Sequence, residues 1–178
     1  MIDPLLQLTL ALSLFLLFVS ASQHKRGAAR RFVAQLDAYE LLPKNLSPIA
    51  AAVLPWLELA IGVSLLVPAS RSTAAWVAMF VLVLYALAVL INLLRGRRDI
   101  DCGCGDTAQP LSYWLVLRNA VLAVSALVIT LPVAERALHV ADAAAMIFMS
   151  ALLALCYLTV SQLLHNQGAQ SGWSSHEH

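Results

Sequence analysis

The sequence predicts an all-α polytopic membrane protein: one bundle of about five transmembrane helices, with a short interfacial helix after the first span. Composition is the first reason. The chain of 178 residues is 61% hydrophobic and 12% charged, with a mean hydropathy of +0.79. Soluble globular chains are roughly 45–50% apolar and about 25% charged, so this chain has more apolar surface than a soluble domain can bury. Charge placement is the second reason. Asp3 and His24, Lys44 and Arg71, Arg71 and Arg95, Asp106 and Glu135, and Asp142 and His165 bracket five apolar runs, interrupted inside only by Glu58 and Arg118. Each supplies the ~20 residues a helix needs to cross a hydrocarbon core of about 30 Å. The third reason is punctuation, since Pro68 and Pro132 each close a run, as prolines near helix ends do.

Taken in order, the expected spans are 4–21, 47–67, 73–94, 111–131 and 143–164, within a single domain of residues 1–166. The polar residues 167–178, rich in Ser, Gly and His, read as a disordered tail. Met1-Ile2-Asp3-Pro4 carries no Lys or Arg, whereas Lys25, Arg26, Arg30 and Arg31 follow the first span. That is the reverse of a secretory leader, so the first span reads as an anchor with its N-terminus outside. Between Arg30 and Leu42, Phe32, Leu36 and Tyr39 recur at helical spacing among Arg31, Gln35, Asp37 and Glu40, which predicts an amphipathic interfacial helix. Pro132 and the stretch from Glu135 to Asp142 make the fourth junction short and polar. Loops one and three hold Lys25, Arg26, Arg30, Arg31, Lys44, Arg95, Arg97 and Arg98; the opposite face holds only Arg71 and Arg136. The positive-inside rule therefore assigns loops one and three to the cytoplasm. It also accounts for the basic residues without a nucleic-acid partner.

Loop three carries Cys102-Gly103-Cys104, two thiols separated by one glycine. A disulfide between them closes a small, strained ring, and strained or exposed disulfides are oxidising and labile. The glycine gives the backbone the latitude such a ring needs. Arg97 and Arg98 favour the thiolate, while Asp99, Asp101 and Asp106 oppose it. Besides a redox pair, the same residues could form a permanent staple or half of a zinc site, although no other loop offers a matching Cys/His pair. Cys156, about 12 Å below the same face in the fifth span, reads either as a small buried residue or as a third redox partner.

Glu58 is the only acidic residue inside a span, and an ionisable group at such depth marks a polar site. It lies about 15 Å below the loop-three face, with Arg118 about 10 Å below it, so the two could pair. Tyr85 falls near the level of Glu58, and Asn92 and Asn119 lie closer to the thiols. Glu58, Tyr85 and Arg118 thus sketch either a structural ion pair or a pocket for a quinone, its oxygens meeting Arg118 or Tyr85. Trp56, Trp76 and Trp114 read as anchors.

Several of these segments are found together in a known family. They are the basic loop running into Tyr39-Glu40-Leu41-Leu42-Pro43; Pro55-Trp56-Leu57-Glu58-Leu59 with Gly62; Asp101-Cys102-Gly103-Cys104-Gly105; and Trp114-Leu115-Val116-Leu117-Arg118-Asn119. On these the chain resembles the MauE-type methylamine utilisation membrane proteins, within the wider DoxX-like group. The resemblance implies a bacterial inner-membrane maturation factor. It would act beside a thioredoxin-like protein on an exported, disulfide-rich client such as the methylamine dehydrogenase β subunit. The leading reading is thus a membrane thiol-disulfide oxidoreductase with Cys102 and Cys104 as its reacting pair. The alternatives are a scaffold with structural thiols and, third, a small-solute transporter using Glu58 and Arg118.

Overall fold

The computed structural model describes residues 1–97, 100, 111–137 and 139–174, with no side chain described at Ser161 or beyond Gln162. Its described residues form six helices: α1 (Pro4–Gly27), α2 (Ala29–Tyr39), α3 (Ser47–Leu66), α4 (Arg71–Leu94), α5 (Tyr113–Ile129) and α6 (Val140–Ser174). Helices α1, α3 and α4 and the Val140–Val160 part of α6 are long and apolar enough to cross a membrane. Helix α5, at 17 residues, meets the lower limit of about 17. These match the five expected spans, and α2 is the amphipathic helix expected after the first. Helix α6 continues to Ser174, past the Gln167 position at which the sequence suggests a polar tail.

The helix ends have local causes. The Asp3 carboxylate accepts from the Leu5 amide at 2.8 Å, and Pro4 occupies the first turn, where its missing amide has no partner to lose. Helix α2 stops at Glu40, in the left-handed region with φ 48°. At the end of α4, Gly96 takes φ +76°, its amide donates to the Leu93 carbonyl, and the Arg97 amide donates to the Asn92 carbonyl. This is the glycine cap that satisfies terminal carbonyls. The end of α3 is closed by its neighbour. Arg71 donates from Nε to the Leu65 carbonyl (3.0 Å) and from Nη2 to that of Leu66 (3.3 Å), and Ser70 donates to Ser64 (3.0 Å).

Helix α1 packs along α3, α4 along α5 and α6 along α1, with α2 against α3. Small residues permit close approach between membrane helices. On α4 these are Ala74, Ala75 and Ala78, facing Ala123 and Ala126 of α5 in one buried cluster with Leu14, Phe18 and Leu65. At the α1–α3 crossing, a Cβ on Gly62 would meet Phe18 Cβ at 3.4 Å and the Phe15 carbonyl at 3.5 Å.

The two ends of the bundle differ. At one, the Ile2 amide donates to Pro132 and the Ala134 amide to Ile2, both at 2.9 Å. Arg136 spans Asp142 (3.0 Å) and Asp3 (3.3 Å) beside them. The other end gathers α2, the end of α4 and the start of α5; it is the loop face here.

Trp56, Trp76 and Trp114 are 59%, 50% and 43% exposed. Cys156 corrects an expectation: it is exposed rather than buried. Hydropathy gives its depth, but α6 turns this side away from the bundle.

Candidate functional site

One face of α1 is buried along its length: Ala11, Leu14, Phe18, Ser22 and Lys25, at helical spacing. The stripe therefore ends on a cation. On α3 the buried stripe is Ser47, Ala51, Pro55, Glu58, Ile61, Gly62 and Leu65. Antiparallel packing registers Phe18 against Gly62, and Lys25, about two turns beyond Phe18, reaches with its long side chain to Glu58, about one turn beyond Gly62.

Lys25 Nζ donates to Glu58 Oε1, and to the Tyr85 hydroxyl at 3.2 Å, while that hydroxyl donates to the same Oε1 at 2.7 Å. The ammonium also lies 4.7 Å from the Tyr85 ring centroid and 5.2 Å from that of Phe32. Both rings offer their negative faces. Lys25 is 8% exposed and Glu58 1%. Charges so deep are tolerated only when paired. Glu58 Oε2 is buried and bonded to no described residue.

This arrangement revises the pairing expected from sequence. Glu58 and Tyr85 do come together, but the cation is Lys25 and not Arg118. Arg118 holds its guanidinium 5.5 Å from the Tyr157 ring centroid, joining α5 to α6. The reason is lateral. Helix α3 packs on α1, and α5 packs chiefly on α4, so depth alone misidentified the partner. On hydropathy alone Lys25 falls in the first loop, because the apolar run of the first span ends at Ala21. The available signal was the spacing of Phe18, Ser22 and Lys25 on one helical face. Asn92 and Asn119 are buried and each bonds its own helix, Asn92 to the Ala88 carbonyl (3.1 Å) and Asn119 to that of Leu115 (2.9 Å).

Cys102 and Cys104 lie outside the described residues. Their described flanks do not: Ile100 and Leu111 pack into a small cluster with Val89 and Leu93 of α4, Leu115 and Val116 of α5, and Tyr39 of α2. Just before this segment, Arg97 donates to Glu40 Oε2 (2.6 Å) and to the Ala38 carbonyl (3.5 Å). The hydrogen bond from Arg97 holds the Glu40 carboxyl below the usual carboxylate range. A lowered acid stabilises the contact above its ordinary pKa, and that contribution disappears as pH falls through the lowered value. Spin labels on Ala34 and Arg95 should therefore give a narrow distance distribution near neutral pH. It should broaden below about pH 4, and Glu40→Gln should be broad at both.

A bundle of helices long and apolar enough to cross a membrane, with a paired charge buried inside it, is that of a multi-pass membrane protein. The chain belongs to the MauE family: the family model for methylamine utilisation protein MauE matches residues 3–133. Among curated proteins it is similar to the methylamine utilization protein MauE of Paracoccus denitrificans, 38% identical over 175 residues, covering 96% of this chain and 94% of the relative. It is similar to the MauE of Methylorubrum extorquens, 38% identical over 139 residues, covering 76% and 75%. It is similar also to that of Methylophilus methylotrophus, 31% identical over 166 residues, covering 91% and 87%. No solved structure matches the chain.

Proposed function

We propose that the protein is an inner-membrane maturation factor for methylamine utilisation, and that Cys102 and Cys104 form its thiol-disulfide exchange pair. The observation that carries this reading is the close cysteine pair itself, in a chain that belongs to the MauE family. The described residues on either side, Ile100 and Leu111, pack into one cluster with Tyr39 of α2. A client thiolate attacks one sulfur of the Cys102–Cys104 disulfide, forming a mixed disulfide and releasing the other sulfur as a thiolate. A second client thiolate then attacks the mixed disulfide. The client leaves oxidised, and the pair is left as a dithiol. Its two electrons and two protons pass to a second disulfide, that of a thioredoxin-like partner, or to a quinone.

The buried cluster bears on that choice. Lys25 and Tyr85 both donate to Glu58 Oε1, and Glu58 Oε2 is an acceptor. Those groups suit a ligand hydroxyl better than the carbonyl oxygens of a quinone, which need donors. The thioredoxin-like partner is the acceptor this reading favours. Its client is an exported disulfide-rich protein such as the methylamine dehydrogenase β subunit.

Cys102→Ser and Cys104→Ser, made singly, should leave a co-expressed exported client with free thiols, and one of them should trap a mixed disulfide. Normal client oxidation in both would sink the redox reading. A scaffold with inert thiols is the second reading, favoured by the basic residues of loops one and three, because cytoplasmic thiols are kept reduced. An impermeant thiol reagent applied to intact cells separates the two: labelling of Cys102 and Cys104 supports direct exchange with an exported client, and protection supports the scaffold.

A further inference from the structure

Several cations of the bundle are matched to oxygens. Arg71 caps the carbonyls that end α3, Arg97 pairs with Glu40, and Arg136 pairs with Asp3 and Asp142. Arg26 is held differently. It is exposed, and its guanidinium carbon lies 4.9 Å from the centroid of the Trp56 ring. Among the described residues, no carboxylate or carbonyl accepts from it. A ring attracts the charge without consuming the N–H donors, so the planar fork of a guanidinium stays available for an anion.

The position of this stack says which anion. On α3 the buried stripe is that of Pro55, Glu58 and Gly62, while Ile49, Val53, Trp56, Val63 and Leu66 are exposed. The exposed set recurs at helical spacing and forms one apolar stripe, the face that α3 turns to lipid. Arg26 rests within its length: Val53 and Ile49 continue the stripe on one side of Trp56, and Val63 and Leu66 on the other. Depth agrees. Near the opposite end of α1, Gln7 accepts from Arg71 at 3.3 Å. From Gln7 to Arg26 the helix rises about 28 Å, close to the ~30 Å of a hydrocarbon core. Arg26 is thus at the level where acyl chains meet headgroups. A cation bordered there by apolar surface is costly unless an anion joins it, and basic residues at a membrane face draw anionic lipid.

We propose that Arg26, stacked on Trp56, is a binding site for the phosphate of an anionic phospholipid. The guanidinium donates to two phosphate oxygens, the bidentate geometry that arginine favours. The indole holds the guanidinium against α3, and an acyl chain runs along Val63 and Leu66 toward the bilayer centre. Free phosphate offers the same oxygens but has no chain for the stripe. The lipid braces α1 against α3 one residue from the Lys25–Glu58 pair. The site is independent of any thiol chemistry.

The test uses the purified full chain in an uncharged detergent, titrated with phosphatidylglycerol, with phosphatidylcholine or with inorganic phosphate. Thermal unfolding reads the shift in Tm, and native mass spectrometry reads the lipid retained. Phosphatidylglycerol at about ten times its Kd should raise the Tm of the parent by about 5 °C, phosphatidylcholine should raise it less, and inorganic phosphate should leave it unchanged. Arg26→Gln should weaken phosphatidylglycerol binding about tenfold, and Trp56→Leu about threefold. Lys44→Gln, which removes an exposed charge from the same end of the bundle, should bind as the parent does. Each variant alters an exposed side chain, and its Tm without lipid checks that it folds. Parent-like binding by Arg26→Gln would overturn the site. Equal loss in Lys44→Gln would also overturn it, since general surface charge would then suffice. An equal response to inorganic phosphate would overturn the assignment to lipid.

Discussion

Purified Lys25→Met protein should be less stable than the parent by about 3–5 kcal/mol, the usual consequence of removing one partner from a buried ion pair. In a chain of this size that lowers Tm by about 10 °C. The loss comes from what remains. Glu58, 1% exposed, keeps the Tyr85 hydroxyl but loses its counter-charge. Adding Glu58→Gln should then recover most of the loss, because a neutral amide beside an apolar side chain strands no charge. The double variant should therefore be more stable than Lys25→Met alone, and the cycle yields a coupling energy between neighbours. Thermal unfolding in detergent measures it. A Lys25→Met protein as stable as the parent would mean that the pair is not what holds α1, α3 and α4 together.

Gly62→Leu should reduce the folded fraction sharply, whereas Gly62→Ala should remain near the parent. The first added carbon has room at ordinary contact distance, 3.4 Å from Phe18 Cβ and 3.5 Å from the Phe15 carbonyl. The further atoms of leucine have none without parting α1 from α3. Overpacking alone costs about 1–3 kcal/mol. Here the same separation also pulls Lys25 from Glu58, one helical turn from Gly62, so the two penalties combine. The monodisperse fraction after detergent extraction reports it. Equal recovery of the leucine and alanine variants would contradict the close crossing.

How much the sequence discloses follows from which coordinate each property needs. Depth in a bilayer is one-dimensional and can be counted along the chain at 1.5 Å per residue. The five spans and the level shared by Glu58 and Tyr85 were legible on that basis. The lateral coordinate was not. Arg118 has a depth close to that of Glu58, but α5 packs mainly on α4, so Lys25 from α1 supplies the cation instead. Cys156 fails for the same reason, its depth being readable and its direction around α6 not. Lys25 adds a second cause. A window of apolar residues ends where polarity begins, yet the buried face of α1 continues a full turn further through Ser22 to Lys25. Helix α2 was legible because periodicity within a short segment is itself a lateral property. Cys102 and Cys104 lie outside the described residues, so their role rests on their spacing and on the family to which the chain belongs.

The paired hydrogen bonds of Ile2 with Pro132 and Ala134 carry a mechanical consequence. They clasp the start of α1 to the segment after α5, and Lys25 clasps its end to α3 and α4. A helix fixed at both ends cannot act as a piston. Sliding α1 by even one residue, about 1.5 Å, would strain both attachments at once. Displacement of α1 along its own axis is therefore opposed at both ends of the bundle.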